Sequence, residues 1–239
     1  GTKTLFSNTS GNLNLAIGSS AMYSNTSGSN NTAIGIASLY NNTTGTHNTG
    51  AGYNALINNT TGTQNQAFGV LALQSNTTGS ANIGIGALSL GDNLSGNTNV
   101  AVGHGSLNRN VSGNSNVAIG ASALFLSTSR SNLVAIGDSA LYKNASSTTN
   151  NIQGTENTAV GSKSQYNNIF GYRNTSLGTG TLYGNIGGNG NTAIGATALN
   201  ANTGGSQNSA MGMDALVLNT SGGLNASFGA ASLNSNSTG

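Results

Sequence analysis

Glycine recurs every 17 residues along most of this chain, and this spacing constrains the fold more than any other feature. Eight glycines are evenly spaced, and the same spacing resumes after one interruption for five more. They are Gly18, Gly35, Gly52, Gly69, Gly86, Gly103, Gly120, Gly137, Gly161, Gly178, Gly195, Gly212 and Gly229. A fixed period of this length is typical of a solenoid, in which each repeat forms one coil stacked on the last. The sequence therefore predicts a single repeat rod over residues 1–239.

Each repeat can be numbered from its periodic glycine, which is position 0. Two clean examples, Asn31–Gly35 and Asn191–Gly195, both read Asn-Thr-Ala-Ile-Gly over positions −4 to 0. Beyond the glycine, Leu is usual at +4, Asn at +7 and Gly at +10. Asn-Thr-Thr-Gly is turn chemistry, and several glycines in every 17 residues disfavour a helix.

The alternation at −3, −2 and −1 has a period of two and predicts a β-strand. The large apolar residue at −1 and the Leu at +4 are both expected to face inward. The small residues at −2 and +3 are expected where another part of the chain approaches closely. A second strand is predicted over +2 to +5. The expected fold is all-β, a parallel β-solenoid (β-roll) of about 13 coils with a 17-residue repeat.

Composition excludes several classes of protein. Only 4% of the 239 residues are charged, and the six basic residues are scattered, so the clustered cations of a nucleic-acid-binding surface are missing. Cysteine is absent, so there is no disulfide or thiolate metal site. No apolar run approaches the roughly 18 residues of a membrane span. Proline is absent, which suits uninterrupted ladders of stacked strands.

Asparagine fills two further columns of the repeat. At −4 it is present in every repeat but one, where Leu133 replaces it. Stacked identical amides can hydrogen-bond from coil to coil, which predicts an Asn ladder. The predicted ladder residues are Asn14, Asn31, Asn48, Asn65, Asn82, Asn99, Asn116, Asn157, Asn174, Asn191, Asn208 and Asn225.

The +7 column carries many Asn-x-Ser/Thr sequons and is expected to lie at a solvent-facing turn, where a glycan could attach. The candidate glycosylation sites are Asn25, Asn42, Asn59, Asn76, Asn93, Asn110, Asn144, Asn219 and Asn236; further sequons begin at Asn8, Asn30, Asn41, Asn58, Asn174 and Asn225. A chain so rich in Asn, Ser and Thr also makes sequons by composition alone, and Asn at +7 has a second explanation as a ladder. The ladder is the favoured interpretation of Asn at +7.

Two irregularities divide the repeat. Seven extra residues lie between Gly137 and Gly161, which predicts regular coils over 1–144, an insertion loop over 145–153 and regular coils over 154–239. The turn over 127–133 loses Asn at +7, Gly at +10 and Asn at −4 together. Neither end shows the polar cap that solenoids need, so the chain is expected to be a segment of a longer fibre.

No catalytic constellation is present, so we expect no enzyme, no metal site and no cofactor. His47 and His104 fall on different columns, and the acidic residues do not stack. Thr at +8 and +9 suggests a flat hydroxyl array of the kind used by ice-binding solenoids. Tyr at +5 suggests an aromatic stripe that packs between chains or binds sugars.

The Asn-x-Ala-Ile-Gly-x-x-Ala/Ser string resembles the head repeats of trimeric autotransporter adhesins, whose own repeat is shorter. The longer Asn-Thr-Ala-Ile-Gly…Ala-Leu…Asn-Thr-Thr-Gly pattern is similar to repeats of phage-type tail-fibre and bacterial surface proteins. The resemblance covers essentially the whole chain. It implies a left-handed β-roll that trimerises.

Together these features predict a structural extracellular fibre, or an adhesin shaft or head segment, at a cell or virion surface. Its expected partners are copies of itself, in a trimer or an end-to-end filament, and glycans that are covalent or bound. Nucleic acid and a membrane span in this segment are not expected. One alternative is a phage tail-fibre or lectin-like module that binds surface glycans through the Tyr stripe or the 145–153 loop. A further alternative is an ice-binding solenoid.

Overall fold

The computed structural model of the chain describes residues 1–145, 150 and 152–239. The chain divides into two compact units, Gly1–Asn116 and Val117–Gly239. Each unit is all-β and consists of stacked coils with a 17-residue repeat, so the predicted parallel β-solenoid is confirmed. The left-handed sense stays a prediction.

Each coil contributes one strand of three residues, at positions −3 to −1. The strands of the first unit are β1 (Leu15–Ile17), β2 (Thr32–Ile34), β3 (Thr49–Ala51), β4 (Gln66–Phe68), β5 (Ile83–Ile85) and β6 (Val100–Val102). Those of the second unit are β7 (Val117–Ile119), β8 (Val134–Ile136), β9 (Thr158–Val160), β10 (Thr175–Leu177), β11 (Thr192–Ile194), β12 (Ser209–Met211) and β13 (Ala226–Phe228).

Within each unit every strand pairs in parallel with the strand of the next coil. Equivalent positions lie opposite each other, as Ala16 does with Ala33 and Ala193 with Ala210. β8 and β9 keep this pairing across the seven extra residues, with Ala135 opposite Ala159. The predicted loop over 145–153 includes residues 146–149 and 151, which lie outside the described residues.

The predicted second strand over +2 to +5 is wrong, because this segment is a turn in the described coils. Residues at +2 and +4 adopt left-handed backbone angles, for example Ala37 with φ 53° and Leu39 with φ 53°. Two left-handed residues separated by one position cannot belong to a strand. Their amides are nevertheless satisfied, since Ala37 N donates to Ser19 O and Leu39 N to Ala55 O, each at 3.0 Å. Coil-to-coil hydrogen bonding therefore continues through the turns.

The apolar interior of each coil is narrow and is filled by one large side chain and two small ones. The Leu at +4 is fully buried in both units, as at Leu73 and Leu199, except Leu233 in the last coil, so its inward prediction is confirmed. The Ala or Ser at −2 and +3 pack beside it, with Ala67 and Ala72 fully buried in one coil. Small residues are required because the two sides of the coil approach closely here.

The prediction that the −1 column faces inward is wrong. Ile34 is 42% exposed, Ile85 41% and Ile119 38%. Successive side chains of a strand point to opposite faces, and the buried residue at −2 therefore forces its neighbours at −3 and −1 outward. The result is an exposed sheet surface with apolar side chains along one column.

The periodic glycines are explained by both backbone angle and space. Gly69 has φ +137°, a region that L side chains rarely adopt, and a Cβ built on it would lie 2.7 Å from the carbonyl carbon of Gly86. The column from Gly18 to Gly212 repeats this close approach within each unit. The 17-residue glycine period thus marks the positions at which the backbone of one coil contacts the backbone of the next.

Candidate functional surfaces

The asparagines at −4 form a ladder, as predicted. In the first unit, Asn48 N donates to Asn31 Oδ1 at 2.9 Å, and Asn65 N donates to Asn48 Oδ1 at 2.9 Å. In the second unit, Asn191 N donates to Asn174 Oδ1 at 2.9 Å. All of these side chains are fully buried. Each amide therefore satisfies a main-chain donor of the next coil inside the protein.

The asparagines at +7 form a second ladder that meets the first at the +10 glycine. Asn42 Nδ2 donates to Asn25 Oδ1 at 2.8 Å and to Gly45 O at 3.0 Å. Gly45 O also accepts from Asn31 Nδ2 at 2.8 Å. The glycine carbonyl uses both lone pairs in this way. One turn thus joins the two ladders through a single carbonyl oxygen.

This geometry corrects the expectation that the +7 column faces solvent. Seven of the nine candidate glycosylation sites are fully buried with both ladder bonds in place, whereas Asn144 is buried with a substitute bond and Asn236 is half-buried in the last coil. Attachment of a glycan to a buried Nδ2 would replace one of its two hydrogens, which would break at least one of the two hydrogen bonds and open the turn. Among the other sequons, Asn8, Asn30 and Asn58 are exposed.

The hydrogen bond from Asn at +7 to a glycine carbonyl is kept across the seven extra residues. Asn144 Nδ2 donates to Gly154 O at 2.8 Å, although the equivalent glycine elsewhere lies three residues away. Asn168 Nδ2 then donates to Asn144 Oδ1 at 2.8 Å. The ladder therefore follows spatial proximity and tolerates the longer connection.

The aromatic side chains at +5 form two stacks, Phe6–Tyr23–Tyr40 and Phe125–Tyr142–Tyr166–Tyr183. Ring centroids are 5.0 to 5.4 Å apart, and interplanar angles do not exceed 11°. Inner rings such as Tyr23 and Tyr166 are covered on both faces by their neighbours. The inner rings present only their edges, so they do not offer the open ring faces on which a sugar would stack.

The Thr residues at +8 use their hydroxyl hydrogens within the protein. Thr43 Oγ1 donates to Thr60 O and Thr60 Oγ1 to Thr77 O, each at 3.0 Å. Thr203 Oγ1 makes the same bond to Thr220 O in the second unit. These hydroxyls point along the stack of coils, which removes them as free donors in the hydroxyl array that the sequence suggested.

Titratable residues are dispersed over the surface. Among the described residues, no three His, Cys, Asp or Glu side chains come together in a group that could hold a metal ion. Arg173 Nε donates to Glu156 Oε2 at 2.9 Å, and Arg109 Nε lies 3.8 Å from Asp92 Oδ2. The hydrogen bond to Glu156 and its negative charge raise the pKa of Arg173 above its ordinary value. Both pairs are exposed and contribute little to stability.

A polar cluster interrupts the core of the second unit. Gln165 replaces Leu at +4 and is fully buried; its Nε2 donates to Thr158 O at 2.9 Å and to Ser176 Oγ at 2.8 Å. Ser164 Oγ lies 2.5 Å from Ser176 Oγ and 3.1 Å from Thr181 Oγ1. Gln165 Oε1 has no hydrogen-bond partner. The sequence signals this cluster only through the missing Leu.

The outward columns of the strands form a regular, mainly apolar surface. In the first unit, Ile83 and Ile85 of β5 and Val100 and Val102 of β6 lie side by side on it. In the second unit, Thr occupies −3 in β9, β10 and β11, beside an aliphatic residue at −1. Here this surface, defined as the −3 and −1 columns, is named the sheet face.

The part of the chain that the structure describes contains no helix long and apolar enough to cross a membrane. Comparison of the chain with models of known protein families, with curated proteins and with solved structures finds no match. The resemblance to adhesin heads and tail-fibre repeats accordingly stays a prediction based on the repeat motif.

Proposed function

We propose that this protein is a non-catalytic structural segment of an extracellular fibre or adhesin at a cell or virion surface, and that it assembles with copies of itself. The observation that carries the proposal is the sheet face. Large aliphatic and aromatic side chains at −1 recur there in consecutive coils and remain about two-fifths exposed, as at Ile34 and Ile85. A contiguous apolar surface of this kind marks an interaction site.

The narrow interior also favours assembly. Each coil buries one Leu and two small side chains, and the hydrophobic effect scales with the apolar area removed from water. Packing the sheet faces of several chains together would bury a second apolar column per coil. This supports a lateral oligomer, such as the predicted trimer, in preference to end-to-end joining alone.

The ladders suit a mechanical role. Strand, turn and side-chain hydrogen bonds all run from one coil to the next, as in Asn42 to Asn25 and Thr43 to Thr60. A load applied along the stack would be shared among several such bonds in each coil. The proposed role is therefore to space or project a structure, without catalysing a reaction.

The test places charge on the sheet face of the full chain and measures assembly by sedimentation velocity. The variant is Ile34→Lys/Ile85→Lys, and the matched control is Thr44→Lys/Thr78→Lys, which adds the same charge at exposed +9 positions. We expect the parent chain and the control to form oligomers and the sheet-face variant to sediment as a monomer. A monomeric parent chain, or an unchanged oligomer in the sheet-face variant, would contradict the proposal.

A further inference from the structure

A shallow groove of about 580 Å³ runs along the first unit between the +6 and +8 columns. Consecutive coils line it, from Ser24 at one end to Leu94 at the other. Its position on the turn side is separate from the sheet face. The Thr column at +8 is visible in the sequence, but the groove that it forms with the +6 column appears only when the coils are stacked.

One wall of the groove is a column of Thr residues whose orientation is fixed. The hydroxyls of Thr43, Thr60 and Thr77 each donate to a carbonyl oxygen of the next coil at 3.0 Å. Most of the accessible groove surface is therefore carbon. The wall is a repeating row of small apolar patches.

The other wall carries two side-chain amides. Asn41 Nδ2 donates to Asn58 Oδ1 at 3.1 Å, and Asn58 is exposed. An amide has two donor hydrogens and an acceptor oxygen with two lone pairs. One bond between the two residues leaves most of this capacity open to a ligand, beside the apolar wall.

We propose that this groove binds a linear, neutral polysaccharide that lies along the stack of coils. A sugar chain presents C–H faces and hydroxyl rims, which match the Thr wall and the amide wall. None of the groove-lining residues is charged, which fits a neutral polymer. Each coil repeats the groove after about 4.8 Å, so a polymer with a similar short repeat meets equivalent side chains in successive coils.

Two other linear polymers fit the groove poorly. A nucleic acid requires Lys or Arg to neutralise its phosphates, and the lining residues include neither. An extended peptide binds best by adding a strand to free backbone groups. Here Thr43 N donates to Thr60 O and Thr60 N to Thr77 O, each at 3.0 Å, so these backbone donors already serve the coil ladder.

The second unit provides an internal control, because none of its coils combines an amide at +6 with Thr at +8, although Thr128, Thr203 and Thr220 remain at +8. Aliphatic residues occupy +8 at Ile169 and Ile186, and +6 holds Gly184 and Leu218. Asn167 is the remaining amide at +6 in that unit, and its +8 neighbour is Ile169. The proposal therefore confines binding to the first unit.

The experiment is isothermal titration calorimetry of the full chain with β-1,4-linked hexamers of glucose and of N-acetylglucosamine. A hexamer of galacturonate serves as the charged comparison. The variant Asn41→Ala/Asn58→Ala removes the amide wall, and Asn167→Ala is the matched control. Circular dichroism confirms that each variant retains the parent fold.

We expect saturable binding of at least one neutral hexamer, weakened about tenfold or more in the double variant by loss of hydrogen bonds. Binding should be unchanged in Asn167→Ala and in the sheet-face variant Ile34→Lys/Ile85→Lys, which separates this site from self-assembly. Absence of binding by both neutral hexamers, equal binding by the double variant, or equal binding of galacturonate would overturn the proposal.

Discussion

The two units share one coil design but differ in regularity. In the first unit, Gly1–Asn116, every coil keeps Asn at −4, Asn at +7 and Gly at +10. In the second unit, Ser127, Arg130 and Leu133 replace these three residue types within one stretch, seven residues are added, and Gln165 replaces a core Leu. The strands β7, β8 and β9 nonetheless remain paired in register.

This difference separates the features that the coil requires from those whose loss it tolerates. Strand pairing and the glycine contact at position 0 persist through the irregular stretch, with Gly120 still against Gly137 and Gly137 against Gly161. The Asn ladder is interrupted there without loss of strand register. The backbone contact between coils is thus the stricter requirement, and the side-chain ladders add stability to it.

The largest effect is expected at the glycine contact, which should be equally strict in both units. Gly69→Ala and Gly195→Ala each place a Cβ within 2.7 Å of backbone in the next coil, at φ +137° and +120°. Backbone strain and overpacking together should cost about 3–5 kcal/mol. Thermal unfolding followed by circular dichroism, with hydrogen exchange to locate the change, measures this cost.

The control for these glycine variants is Gly204→Ala, because no atom lies within 4 Å of its Cβ position. This substitution should leave the melting temperature almost unchanged. A small fall in melting temperature for Gly69→Ala together with a large fall for Gly195→Ala would show that the two units do not share the contact as described.

An intermediate effect is expected for Asn76→Ala in the regular ladder. Asn76 Nδ2 donates to Asn59 Oδ1 at 2.8 Å and to Gly79 O at 3.0 Å, and its Oδ1 accepts from Asn93. Removal leaves buried partners unpaired and should cost about 2–4 kcal/mol. Asn58→Ala, at an exposed position in the same unit, is the control. Equal melting temperatures for the two variants would contradict a stabilising ladder.

The smallest effect is expected where the second unit departs from the core pattern. Gln165→Leu restores the residue usual at +4 and removes the unpartnered Oε1, so it should raise stability by about 1 kcal/mol. The net gain is small because the hydrogen bonds that Nε2 donates to Thr158, Asn174 and Ser176 are lost. The reverse change in the first unit, Leu90→Gln, should be destabilising. A stability loss in Gln165→Leu would show that the polar cluster is favourable as it stands.

Much of the fold could be predicted from single columns of the repeat. The 17-residue glycine period, Leu at +4 and Asn at −4 each identify a position in the coil and the contact that it makes. The +7 asparagines were predicted to form a ladder and also to lie at a solvent-facing turn. The ladder prediction, which came from the hydrogen-bonding capacity of the amides, was the correct one. The polar cluster at Gln165 and the groove between +6 and +8 were not predicted, because they depend on side chains from several coils.

By itself, the sequence determined that the chain repeats, that each repeat is β-structure and turn, and that identical residues stack. These follow from spacing and residue type, which are local properties. Tertiary structure decided which apolar column is buried. Ile at −1 and Leu at +4 are equally hydrophobic, yet Ile34 is exposed and Leu39 is fully buried. The left-handed residues at +2 and +4 turn the chain so that, apart from the Asn ladders at −4 and +7, only −2, +3 and +4 lie inside, and hydropathy carries no information about that turn.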